Sequence, residues 1–191
     1  MDVSELLAQA ASMVPPAAAN EAGLTVADAY EYLDHNEWEI ALDILADLEG
    51  WPAPVQWWDL LVEAAELMCL TESAHWCRWA RWESANGIIR AELRLLPAEE
   101  GGRRTAIPGK GVLRPLWDIG RRTAAGNPDL RVARIWVEYA AELAPGAIGT
   151  VRLAPLGPEA WCDLQPGQTI TMHEGTPAVG TATIIETPAT R

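Results

Sequence analysis

Phenylalanine is absent from this chain of 191 residues, and lysine, cysteine and histidine are scarce. Large apolar volume is therefore concentrated in ten tryptophans. Three cysteines cannot form a full disulfide framework, so we expect reduced thiols. With only three histidines, acid–base catalysis has few candidate groups, and we predict that the chain is not an enzyme and needs no cofactor. No Gly-x-x-x-x-Gly-Lys-Ser/Thr loop occurs, which argues against nucleotide binding.

Long apolar runs are also missing. The longest of them falls far short of the ~20 residues that a bilayer-spanning helix needs. Residues 1–5 are acidic where a secretory signal would be basic. Hydrophobic residues make up 49% of the chain and charged residues 21%, which is typical of globular proteins. We therefore expect a cytoplasmic protein with no membrane partner.

The charge is unevenly distributed. Asp and Glu number 27 against 14 basic residues, for a net charge of −13, and Lys110 is the single lysine. Residues 1–86 carry sixteen acidic and two basic side chains, whereas residues 87–191 are almost neutral. The patterns typical of secondary structure change at the same place. We predict two domains, 1–86 and 87–191.

The first domain has the periodicity of helices. A short amphipathic segment over 3–13 ends before two prolines. Thr25 and Asp28 form a capping-box pattern, and His35-Asn36 interrupts the helix that follows. A second helix is expected to end at Gly50, a third to begin at Pro54, and a fourth to cover 73–83. These patterns predict an acidic α-helical bundle.

The second domain has the period of two that is typical of strands. Ala133, Ile135, Val137 and Tyr139, for example, are predicted to share one face. Gly, Pro and Asn cluster between the apolar segments. The fold class is therefore predicted as α+β, a helical bundle followed by a six-stranded antiparallel barrel. The expected strands are 89–95, 112–119, 131–139, 148–156, 168–174 and 178–186.

Three stretches of the second domain give it a family resemblance. They are Glu-Glu-Gly-Gly-Arg-Arg-Thr at 99–105, Arg-Pro-Leu-Trp at 114–117, and Pro-Gly-Gln at 166–168 with Glu-Gly and Val-Gly at 174–175 and 179–180. Because of the order and spacing of these stretches, the second domain, over about 87–187, resembles the C-terminal β-barrel (domain III) of translation elongation factor Tu. The resemblance implies a barrel of translation-factor type, without that family's nucleotide-binding domain.

In that family the first and third of these loops contact tRNA. The resemblance and the basic composition make four residues candidates for RNA binding: Arg103, Arg104, Lys110 and Arg114. The third loop has lost two of the family's cations, because His173 and Pro177 occupy their positions. An RNA- or tRNA-binding protein, or an accessory protein that competes for the factor's partners, is therefore the alternative function. Docking onto the chain's own acidic domain, or simple solvation, also explains the basic cluster.

Residues 30–43 provide the leading hypothesis. Their sequence, Tyr-Glu-Tyr-Leu-Asp-His-Asn-Glu-Trp-Glu-Ile-Ala-Leu-Asp, is similar to a stretch of small helical immunity proteins of bacterial toxin systems. An acidic surface would speed association with a basic toxin and favour it over other partners. We expect a non-catalytic protein that binds a basic protein partner, although an acidic surface also serves solubility. The candidate contacts are Asp34, Glu37, Trp38, Glu39 and Asp43.

Three further sets of residues bear on a possible metal site or contact surface. The pairing of His35 with Glu39, and the set Cys69, His75 and Cys77, match no metal-site spacing, so no metal is expected. Trp76, Trp79 and Trp82 recur along the last helix. They are interpreted either as the junction between the two domains or as a tryptophan-rich binding surface.

Overall fold

The computed structural model describes residues 1–188, and it confirms the α+β class. The chain divides into two compact units, the first ending at Ala85 and the second beginning at Asn86. Five α-helices precede a closed antiparallel barrel of six strands within these residues. None of the described helices combines the length and apolarity that crossing a membrane requires.

Local signals set the helix ends. Helix α2 begins after the predicted capping box, in which Thr25 accepts from the amide of Ala27 and Asp28 accepts from the amide of Thr25 at 2.7 Å. It ends beside Asn36, whose φ is +60°. Helix α3 ends at Ala46, four residues before the predicted end at Gly50. The helices are α1 (Val3–Ser12), α2 (Val26–Asp34), α3 (Trp38–Ala46), α4 (Val55–Leu67) and α5 (Thr71–Asn86).

The helical unit packs around one apolar core. Leu6 and Leu7 of α1, Leu42 and Leu45 of α3 and Leu61 of α4 are fully buried. Two ring contacts extend this core, since Trp57 meets Trp51 and Trp58 edge to face, with centroids 5.1 and 4.6 Å apart. The amphipathic first segment is therefore a full member of the bundle, in addition to the four predicted helices.

The strands are β1 (Arg90–Leu95), β2 (Ile107–Pro108), β3 (Leu116–Asp118), β4 (Arg131–Val137), β5 (Glu142–Leu143), β6 (Ile148–Pro155), β7 (Thr169–His173) and β8 (Ala178–Glu186). Six of them close into a barrel by antiparallel pairing, in the order β1-β6-β4-β3-β7-β8. Closure leaves no unpaired sheet edge, which a flat sheet of this size would expose. The two remaining strands, β2 and β5, form a small separate ladder.

The predicted alternation holds through β4 and then fails at one residue. Ala133, Ile135 and Val137 are buried in the barrel, as expected. The prediction that Tyr139 joins them is wrong, because its side chain is 93% exposed and the strand ends at Val137. The chain turns out of the sheet here, and Tyr139 itself has a φ of +60°.

The strand predicted over 112–119 is shortened to β3. Pro115 has no amide hydrogen to donate, so regular pairing with β4 begins only at Leu116. The ladder of β2 with β5 has no counterpart among the predicted strands. Each of its strands has two residues, which is too short for any periodicity to show in the sequence.

Glu138, which directly follows β4, belongs to an ion-pair network that also includes residues of β1, β6 and β8. Arg90 of β1 donates to Glu138 at 3.0 Å and to Glu186 of β8 at 2.8 Å. Arg152 of β6 donates to Glu138 at 2.5 Å. The Glu138 side chain is 6% exposed, so these partners supply the charge compensation that burial demands.

Candidate functional site

The predicted acidic contacts lie on α2, on α3 and on the turn between them. Asp34, Glu37, Glu39 and Asp43 are all exposed. Glu39 and Asp43 of α3, and Asp47 at its C-cap, follow one another at intervals of four residues, which places their side chains in a row along one face of the helix. Successive members of this row are separated by about 6 Å along the helix axis.

Neither arginine of the helical unit forms an ion pair with this row. The first 77 residues contain no lysine or arginine. The two arginines of α5 are both used elsewhere, since Arg78 pairs with Glu66 and Arg81 pairs with Asp59, both of α4. Among residues 1–188, the carboxylates of Asp34, Glu37, Glu39 and Asp43 form no ion pair. The negative charge of these four carboxylates is therefore not neutralised by an ion pair within the described residues.

Burial, and after it like charge, raises the pKa of two carboxylates of the row, Asp43 and Asp47. Partial burial against α5 and the charge of Glu39 raise the pKa of Asp43, while a hydrogen bond with Ser73 opposes the rise. Burial and the charge of Glu21 raise the pKa of Asp47. The same field reaches the interior, because burial and then Asp43 raise the pKa of the Cys77 thiol to about 12. A cationic partner would relieve this repulsion.

We expect Asp43→Asn to stabilise the helical unit at pH 7 by about 0.5 kcal/mol, because it removes a partly buried charge that Glu39 and Asp47 repel. The folded pKa of Asp43 lies above its ordinary value of 3.8, so the native state takes up its proton first as the pH falls. Wild type therefore gains stability as the pH falls through that folded pKa, and the advantage of the variant disappears below pH 3.8. Urea unfolding at pH 7 and pH 3 measures the difference.

Asp28→Asn is the matched control for this prediction. The backbone and side-chain hydrogen bonds of Thr25 lower the pKa of Asp28, so its contribution to stability is present above 3.8 and lost as the pH falls through the folded pKa. This variant should be less stable than wild type at pH 7. If both substitutions changed the stability at pH 7 in the same direction, the opposite pKa shifts assigned to Asp43 and Asp28 would be contradicted.

Apolar groups accompany the acidic row. Ile40 is 40% exposed and lies three residues before Asp43 on the same face of α3. Tyr30, also 40% exposed, lies four residues before Asp34 on α2. Trp38, the fifth predicted contact, is half-buried and packs against the helical core. The face therefore combines anionic groups with two exposed apolar side chains.

The four predicted RNA contacts differ in burial, and only Arg103 is buried. Arg103 is buried, since 7% of its side chain is exposed, and it pairs with Glu174. It also donates from Nε to the carbonyl of Thr105 at 3.1 Å, and burial lowers its pKa. Its guanidinium is thus occupied within the barrel, which weighs against a phosphate contact.

The other basic residues between positions 103 and 122 are on the surface. Arg104, Lys110 and Arg114 are exposed. Arg121 and Arg122 approach Asp163 at 3.8 Å and Asp118 at 2.8 Å. Neutralised arginines release few counterions, so these pairs reduce the charge that the segment offers to a nucleic acid.

The three tryptophans of α5 have different surroundings. Trp76 packs against the helical core and donates to the carbonyl of Ala46 at 3.3 Å. Trp79 is buried and donates to Glu83 at 2.7 Å. Trp82 is half-buried. Whether the group forms a junction or a binding surface stays a prediction.

Residues 1–188 contain no group of three or more His, Cys, Asp or Glu side chains that could hold a metal ion. No protein-family model and no curated protein matches the chain. The likeness of the barrel to elongation factor Tu and that of residues 30–43 to immunity proteins therefore remain resemblances of sequence motifs.

Proposed function

We propose that this chain is a non-catalytic binding protein whose helical unit engages a basic protein partner through the exposed acidic face of α2 and α3. The observation that carries the proposal is the uncompensated row on α3. Its three carboxylates share one face, while the only two arginines of the unit are held by α4. An unneutralised field of one sign steers an oppositely charged partner and discriminates against wrong ones.

The exposed apolar side chains support a docking role over solubility alone. A surface that serves only solubility gains nothing from Ile40 and Tyr30, which expose apolar area among the charges. A protein interface gains most of its affinity from such apolar anchors, with charge supplying rate and specificity. The specific form that we propose is an immunity-type inhibitor of a basic toxin, with the translation-factor-like barrel as a second docking module.

Charge reversal on α3 tests this proposal. Glu39→Lys should reduce the recovery of a basic partner at least tenfold, about 1.4 kcal/mol, because it places a cation in the middle of the acidic face. Affinity capture from source cells, at low and at physiological ionic strength, measures the recovery. The matched control is Glu63→Lys on α4, which changes the charge equally at another exposed position.

We expect the control to retain its partner. Recovery should also fall steeply as the salt concentration rises, since exposed charges are screened within about 8 Å at physiological ionic strength. Equal recovery by the two variants, or the absence of any basic protein at low salt, would contradict the proposal.

A further inference from the structure

The loop that carries Tyr139 has an unusual combination of properties. Its aromatic side chain is the most exposed large apolar group among residues 1–188. Its backbone is in the left-handed region, with a φ of +60°, which bulky side chains rarely adopt. Glycine or asparagine would satisfy this backbone without the cost that Tyr139 carries. Residues held in such conformations cluster at functional sites.

Ion pairs fix the loop on its N-terminal side. Glu138 directly precedes Tyr139, and its buried carboxylate is held by Arg90 and Arg152. The amide of Glu138 also donates to the carbonyl of Thr150 at 2.9 Å. The backbone that enters the loop is therefore anchored by its amide and its side chain.

A close backbone approach fixes the loop on its C-terminal side. The amide of Gly109 donates to the carbonyl of Ala141 at 2.8 Å, and the ladder of β2 with β5 begins at the next residue. A Cβ at position 109 would lie 2.9 Å from the carbonyl oxygens of Ala140 and Ala141, so only glycine allows this contact. Tyr139 is presented on a preorganised loop, which lowers the entropy cost of binding.

The neighbours of Tyr139 define what could bind it. Ala140 and Ala141 are exposed and small, so they leave the tyrosine ring accessible. Glu142 is exposed and forms no ion pair with any residue from 1 to 188. A ring with a hydroxyl at its tip favours an apolar slot that offers a hydrogen bond at its end. The nearby carboxylate favours a cation at the rim of that slot.

We propose that Tyr139 is the anchor of a docking site on the barrel for a protein partner that offers an apolar slot bordered by a cationic group. This inference deepens the proposed function by giving a location to its second docking module. It does not depend on the acidic row of α3. A Glu39 variant that keeps its partner would contradict the proposed function, whereas a Tyr139 variant that binds peptides normally would contradict only the present proposal.

The first test is of stability. Tyr139→Gly in the full chain should raise the melting temperature of the barrel by about 2–4 °C, because it removes the left-handed strain. Calorimetry measures the shift. A lower melting temperature would show that Tyr139 stabilises the fold, and would overturn the argument that its conformation is kept for binding.

The second test uses disulfide-constrained random peptides displayed on phage and selected on the immobilised full chain. We expect a family of peptides that combine aromatic or aliphatic residues with Arg or Lys, and that bind Tyr139→Gly at least tenfold more weakly than wild type. Leu156→Ala is the control, because Leu156 is another exposed apolar side chain of the barrel. It should change the affinity less than twofold.

Two outcomes of the selection would overturn the proposal. One is a selection that returns no peptide family. The other is a family that binds wild type and Tyr139→Gly equally well, which would place its contacts elsewhere on the chain. Tyr139→Phe refines a positive result, because loss of affinity in this variant assigns a hydrogen bond to the hydroxyl.

Discussion

Replacing Gly102 with alanine is expected to lower the free energy of unfolding of the barrel by about 3 kcal/mol. A Cβ at this position would lie 2.0 Å from the carbonyl oxygen of Leu96 and 2.7 Å from that of Pro97. Both obstacles are backbone atoms, so no side-chain rotation relieves the clash. The amide of Gly102 also donates to Pro97 at 2.9 Å, and a shift of the loop would break this bond.

Native-state hydrogen exchange of the barrel amides measures the loss. Gly101→Ala is the matched control on the adjacent residue. Gly101 has a φ of +89°, but a Cβ added there would meet nothing within 4 Å, so this variant should lose only about 1 kcal/mol for the left-handed backbone. Equal losses at the two positions would show that the loop moves to accommodate the methyl group at 102.

Glu138→Gln is expected to destabilise the barrel by about 2 kcal/mol. The change preserves the shape of the side chain but removes the charge that lies between Arg90 and Arg152. These arginines are directly opposite each other in the register of β1 with β6, so their repulsion increases. The side chains of Arg90 and Arg152 are 27% and 20% exposed, which keeps the loss below that of a fully buried pair.

Glu186→Gln is the control for the network. Its carboxylate also accepts from Arg90, but its side chain is 45% exposed, and a surface ion pair contributes less than about 1 kcal/mol. The same exchange measurement compares the two variants. A loss at Glu186 as large as that at Glu138 would show that burial of the carboxylate does not govern the strength of the network.

Sequence patterns are sufficient wherever one local rule decides the structure. The capping box of Thr25 and Asp28 begins α2 because both partners lie within four residues. Strand β8 has the predicted bounds, 178 to 186, because β-forming residues fill it and a glycine-containing turn precedes it. Its alternation is broken once, since Val179 and Gly180 are both buried. The acidic row on α3 follows from helical spacing alone.

Contacts between distant parts of the chain are not visible in the sequence. Tyr139 continues the alternation of β4 in the sequence, but the strand ends at Val137. The next residue, Glu138, pairs with Arg90 and Arg152, which lie 48 and 14 positions away, so no local pattern shows these contacts. The pairing of Arg103 with Glu174 joins residues 71 positions apart, so composition counts this arginine as part of a basic patch. The ion pairs of Arg78 and Arg81 with carboxylates of α4 also join residues that are distant in the sequence, so sequence patterns do not show them.

The distribution of the three thiols makes the chain suitable for two-colour fluorescence. Cys69 is exposed in the helical unit and Cys162 is exposed in the barrel, whereas Cys77 is buried with a pKa of about 12. Maleimide dyes react with accessible thiolates, so a donor and an acceptor would attach to the first two cysteines and spare the third. Energy transfer between the dyes would then report the distance between the two units in the wild-type chain, with and without a bound partner.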